Sequence, residues 1–220
     1  MVNGQNRRPR SHAPPPQDNY KIALEIARDK LRSCDLQERA SAAGAAWNPS
    51  TGIIELSMLN RKLHLDADKI DVTDPSGGKV ELWEKIVLMH YLLKATGREP
   101  AGKLISYKEI PDGRLYWPNF ISRVHKPLLA AFGSKPESLI AAGLALGGRP
   151  FPQGDAAVQI LALPRVSIIY IFWKSDEEFG PETGCLFDET ITDYLPTEDI
   201  TVLASMTAVK LMKIAREAKP

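Results

Sequence analysis

The sequence predicts an α+β fold: a single domain with an N-terminal β-hairpin, a helical middle and a C-terminal β-hairpin packed against helices. Three observations carry this expectation. Apolar residues recur at helical spacing in long stretches near residues 18–32, 80–96 and 197–216. Two pairs of β-rich runs, each interrupted by a turn, lie at 52–65 and 156–173. No internal repeat and no interior linker marks a domain boundary between them.

Residues 1–17 are rich in Pro, Arg and polar side chains and end on Pro14-Pro15-Pro16. Such a segment buries too little apolar surface to order itself and reads as a flexible tail. Residues 18–220 form the predicted domain. A first helix opens at Asp18 or Asn19 and runs to Arg32, with Tyr20, Leu24, Ala27 and Leu31 on one face. A short helix follows over Asp35–Ala43, stopped by Gly44. Strands over 52–58 and 62–65 make a hairpin through Asn60-Arg61. Val80–Thr96 is helical, closed by Gly97, and carries a core stripe of Leu82, Ile86, Met89 and Leu93.

Lys103–Lys108 reads as a strand, and Asn119–Phe132 as a helix strained at Pro127. Ser134 and Glu137 have the spacing of a capping box for an Ala-rich helix ending at Gly147-Gly148. Ala156–Leu163 and Val166–Trp173 are strands joined by Pro164-Arg165. The second is almost continuously apolar and is predicted to be central. The last helix starts with Thr197 as its N-cap and with Glu198 and Asp199 in its first turn. It ends among Lys210, Lys213 and Arg216, a charge order that suits the helix dipole.

The chain has 220 residues, 28 Lys+Arg against 27 Asp+Glu, and a formal net charge of +1. A whole-chain electrostatic drive toward nucleic acid or anionic membrane is absent. No apolar run approaches the ~18–20 residues that span a bilayer, and the basic N-terminus lacks the apolar core of a secretory signal. Cys34 and Cys185 are the only cysteines and neither sits in a CxxC or CxxH pattern. The chain therefore carries no iron–sulfur or structural zinc motif, and a reducing, cytoplasmic setting is expected.

Several series stand out beyond these patterns. They include Leu82-Trp83-Glu84-Lys85-Ile86 with His90-Tyr91-Leu92-Leu93, then Gly102-Lys103-Leu104-Ile105-Ser106-Tyr107, then Pro111-Asp112-Gly113 with Tyr116 and Phe120. Further on come Leu146-Gly147-Gly148, Leu163-Pro164-Arg165, Leu186-Phe187-Asp188 and Tyr194-Leu195-Pro196-Thr197-Glu198-Asp199. Together they resemble an uncharacterised prokaryotic family, domain of unknown function 3786, over nearly everything from Tyr20 onward. The resemblance implies an anaerobic setting and work near a corrinoid or iron–sulfur system of one-carbon metabolism. It brings no established reaction or catalytic residue.

The densest chemistry lies between Lys174 and Asp199. Nine acids fall there: Asp176, Glu177, Glu178, Glu182, Asp188, Glu189, Asp193, Glu198 and Asp199. Oxygen-rich clusters suit Mg²⁺, Ca²⁺ or Mn²⁺, and paired carboxylates can divide acid and base roles. Helix caps and ion pairs use the same residues, and Glu198 and Asp199 are accounted for by the dipole alone. Asp176 and Asp188, each after an apolar run, are the metal candidates. Asp176, Glu178, Asp188 and His90 are the candidates for catalysis. Trp83, His90 and Trp173 are those for contact with a cofactor, His90 following Trp83 by two helical turns. Cys185 reads as a loop thiol near acids, and His125 and His64 have less to recommend them. The expected function is a binding or accessory protein acting on a protein partner or a cofactor, with a metal-assisted enzyme using the 176–199 carboxylates as the alternative.

Overall fold

The structure, a computed structural model, describes residues 17–218; the tail expected over 1–17 lies outside them except for Gln17, which is already helical. In chain order the helices are α1 (Gln17–Arg32), α2 (Leu36–Ala42), α3 (Leu82–Lys94), α4 (Gly113–Phe120), α5 (Lys126–Phe132), α6 (Glu137–Ala145) and α7 (Thr197–Glu217). The strands are β1 (Ala46–Asn48), β2 (Ile53–Met58), β3 (Arg61–Asp66), β4 (Asp71–Thr73), β5 (Leu104–Ser106), β6 (Arg149–Pro150), β7 (Ala156–Leu163), β8 (Val166–Trp173) and β9 (Glu182–Asp188). They form two antiparallel sheets, β1-β2-β3-β4 and β5-β9-β8-β7-β6. The architecture is α+β.

The predicted central strand is central. In β8, Ile168, Ile169, Tyr170, Ile171 and Phe172 are each no more than 1 % exposed, which is why that run lacks polar alternation. Burying each such side chain stabilises the fold by about 1.5–3 kcal/mol. Tyr170 keeps its hydroxyl satisfied by donating to Ala204 O at 2.7 Å on α7. The β2–β3 hairpin turns through Leu59 and Asn60, both at positive φ (51° and 60°), the two-residue turn that matches strand twist. Leu59 lacks a glycine's freedom there. It is held by burial and by its N–H, which donates to Ala162 O on β7 at 3.0 Å. The tip of one sheet is thereby fastened to the other, and one hydrophobic core runs through both.

Several expectations are corrected. The strand expected over Lys103–Lys108 ends at Ser106, because Glu109 accepts from the Ser106 N–H and hydroxyl (2.7 and 2.8 Å) and winds Tyr107–Glu109 into a 3₁₀ turn. The helix expected over Asn119–Phe132 starts at Gly113 and passes through a π turn, Ile121–His125. Pro127 has no N–H to give the previous turn, and the helix widens just before it. The Ser134–Glu137 box does not form; Glu137 instead pairs with Lys174 at 2.7 Å. Thr197 is the first residue of α7 rather than its cap, its hydroxyl donating to Pro111 O at 2.8 Å. Cys185 is not in a loop but in β9, facing the core at 4 % exposure.

Candidate functional site

The carboxylates do not converge. Asp176 is exposed in the loop after β8 and accepts the N–H groups of Glu178 and Phe179 at 2.9 and 2.7 Å. Those amides, Phe179's first, hold its carboxyl below the usual range, and they define the role: Asp176 closes its own turn. Glu178 is exposed in the same turn. Asp188 is at the far end of β9. Trp173 pairs with Glu182 at the near end, so six residue steps along the strand, roughly 20 Å at ~3.4 Å each, separate that end from Asp188. Asp188 accepts from the N–H groups of Ala101 (3.0 Å), Gly102 (2.7 Å) and Thr190 (3.0 Å) and from the Thr190 hydroxyl (2.7 Å). Partial burial works against its ionisation, but these four donors outweigh it and hold its carboxyl low. Of its neighbours, Glu189 pairs with Lys103 and Arg98, and Asp193 with Arg98. Among the described residues no group of three or more His, Cys, Asp or Glu is placed to hold a metal ion.

The cofactor candidates also separate. Trp83 lines a groove between α3 and α7, whereas Trp173, at the end of β8, lies against Gly184 of β9. His90 has a partner that the sequence reading gave to the dipole: its Nδ1 lies 2.6 Å from Asp199 Oδ2, joining α3 to the first turn of α7. Asp199 is 7 % exposed, so this contact satisfies a carboxylate that burial makes costly to leave alone.

The structure draws other residues together. Because β5 leaves the sheet at Ser106, its ladder with β9 covers only Leu186–Asp188. Among the described residues, the β9 edge over 182–185 therefore has no strand beside it on that side. The chain that would have continued β5 turns away into the 3₁₀ turn and α4, and a concavity of about 490 Å³ opens between them. Trp117, Ile121, His125 and Leu129 form one wall, and Thr183, Gly184, Cys185 and Leu186 the other, with Lys108 and Lys126 at the rim. Its size is that of a small-molecule site.

Aromatic packing sets the wall. Tyr107 and Phe120 stack at 4.0 Å between ring centroids. Trp117 lies against both, and Lys108 Nζ sits 4.5 Å above the Trp117 ring. His125, last residue of the π turn, meets Trp117 edge-on at 5.2 Å and Phe120 at 5.4 Å. Its Nδ1 is 2.7 Å from Thr183 O. A carbonyl only accepts, so Nδ1 carries the hydrogen and Nε2 is the free acceptor of the ring. Burial lowers the His125 pKa, the Thr183 carbonyl opposes that, and nearby Lys108 adds to it, so the ring is neutral at pH 7. Burial likewise pushes the Cys185 thiol well up, making it inert. The arrangement offers a flat apolar surface, one imidazole acceptor of fixed tautomer, two ammonium groups and one carboxylate, that of Glu182.

His125 escaped the sequence reading because its partner is a main-chain carbonyl 58 residues away. The faint signal was the proline two residues on, which marks the altered helix register.

No curated protein and no solved structure matches the chain. Residues 35–210, which hold α3, the His125 pocket and most of α7, match the family described as Domain of unknown function (DUF3786). That span is well over half of the chain, and the chain belongs to this family of unknown function, DUF3786.

Proposed function

We propose that this chain is a small-molecule-binding protein whose ligand site is the concavity between the π turn and the open edge of β9. One observation carries the reading: an imidazole of fixed tautomer and a stacked aromatic wall meet where β9 runs past the end of its ladder with β5. The ligand that fits is a planar aromatic or heteroaromatic molecule. It lies against Trp117 and donates one hydrogen bond to His125 Nε2, and Lys108 and Lys126 favour negative charge on its outer part. The family resemblance supports accessory work in corrinoid or iron–sulfur one-carbon metabolism as the setting. Two free thiols suit a reducing cytoplasm, and the continuous core supports residues 18–220 acting as one domain. The rival reading, metal-assisted chemistry on the 176–199 carboxylates, has no support in their placement.

Saturation-transfer NMR against a set of planar heteroaromatic fragments tests the proposal. Hits are expected to lose their signal with Trp117→Ala and His125→Phe and to keep it with Trp83→Ala. Fragments that bind all three variants like the wild type would overturn it.

A further inference from the structure

We propose that the groove between the start of α3 and the middle of α7 is a second binding site, one that takes a small organic anion with an aromatic body. The groove encloses about 870 Å³. Its floor is apolar: Leu82, Trp83, Val202 and Met206 line it. Its charges are unbalanced. Arg61, Lys79, Arg123 and Lys210 line it, against only Glu81 and Glu84.

The two acids are already spoken for. Glu84, 3 % exposed, accepts from Arg61 Nη2 at 3.0 Å and from the Glu81 N–H at 2.8 Å. Glu81 pairs with Lys79 at 2.9 Å. Neither the Arg123 nor the Lys210 side chain makes an ion pair or hydrogen bond with a described residue. Arg61 Nε is buried without a hydrogen-bond partner and lies 3.7 Å from an Asp74 carboxylate oxygen.

A half-buried ammonium in an apolar groove is expensive unless a counter-charge meets it. Burial lowers the Lys210 pKa, Glu84 opposes that, and Arg61 and Lys213 add to it. The described residues leave that counter-charge unsupplied. An anionic head group beside Lys210, within the field of Arg61, would supply it, and the aromatic body would cover Trp83 and Met206. Arg123 adds long-range attraction for the anion. This site shares no lining residue with the His125 pocket, so each proposal stands or falls without the other.

The test maps lysine acylation by mass spectrometry on the full chain at pH 8, with phenyl phosphate as probe, inorganic phosphate as head group alone and benzyl alcohol as body alone. Phenyl phosphate is expected to protect Lys210 selectively, with Lys126 unchanged, and benzyl alcohol to protect nothing. Phenyl phosphate affinity, followed by the ¹⁵N–¹H shifts of α7, is expected to fall about tenfold in Lys210→Met, the loss of one partly desolvated ion pair. It is expected to fall in Trp83→Ala as well, and to be unaffected by Trp117→Ala. Two results would overturn the proposal: no selective protection of Lys210 by phenyl phosphate, or equal affinity in Lys210→Met and wild type when both are folded by circular dichroism. Protection by inorganic phosphate equal to that by phenyl phosphate would remove the aromatic body and overturn the ligand class.

Discussion

Replacing Asp188 tests whether the most promising carboxylate of the sequence is a structural clamp. Its two oxygens hold four donors from two separate segments, the 101–102 loop and the turn at Thr190. Hydrogen bonds to a charged acceptor contribute about 1.5–3 kcal/mol each. The Ala101 and Gly102 amides are near solvent and rehydrate on loss of the carboxylate, so only the two part-buried Thr190 bonds count, each at the low end of that range. Asp188→Ala is then expected to cost about 3 kcal/mol, and Asp188→Asn, which keeps one oxygen, about half that. With a urea m-value of about 2 kcal/mol/M, the alanine midpoint should drop by about 1.5 M with m unchanged. The pH dependence has a definite sign. The folded carboxyl titrates below its ordinary value of about 3.9. Its contribution is therefore complete above that value and is lost as pH falls through the folded one. The gap between wild type and Asp188→Asn should narrow as pH falls below that ordinary value and through the folded one. A variant of unchanged urea midpoint that had lost a bound divalent ion would refute the clamp and restore the metal-ligand reading.

Two further outcomes follow from packing. Gly143→Ala places a Cβ 2.1 Å from Val158 Cγ2 where α6 crosses β7. The overpacking, about 3 kcal/mol, exceeds the ~1 kcal/mol that alanine gains in a helix, so the melting temperature should fall by several degrees in calorimetry; an unchanged or higher value would count against this contact. Ellman's reagent should titrate one thiol, Cys34, in the native protein and a second only in denaturant, since Cys185 is 4 % exposed with a raised pKa. Rapid native reaction of both would contradict the placement of β9.

The parts of the fold that could be read from the sequence are those where one residue type repeats at one period. The apolar run of β8 and the Pro164-Arg165 turn are of this kind, because deep burial leaves little freedom in composition; in α3 the stripe caught Ile86 and Met89 but missed Leu88, Tyr91 and Leu92, since that helix is buried on more than one face. β9 was hidden by its surroundings. Cys185 and Phe187 alternate inward as a strand requires, but the acids on either side gave the whole stretch the look of a linker. β1 and β4 have three residues each, too few to show a period. The candidate site was less legible, because it depends on pairs far apart in the chain. Asp199 sits where the helix dipole already explains an acid, so its 2.6 Å contact with His90 left no further trace. His125 matters through a carbonyl that every residue possesses.

The early exit of β5 has a consequence for how this protein keeps to itself in a crowded solution. A strand border with idle amides and carbonyls is a template on which another chain can build. Here His125 occupies the Thr183 carbonyl, and Glu182 places a charge at the start of the same border. The imidazole that furnishes the pocket is thus also its guard against fibrous self-association. Sequence drift at this position would be constrained from two directions, by whatever enters the concavity and by solubility.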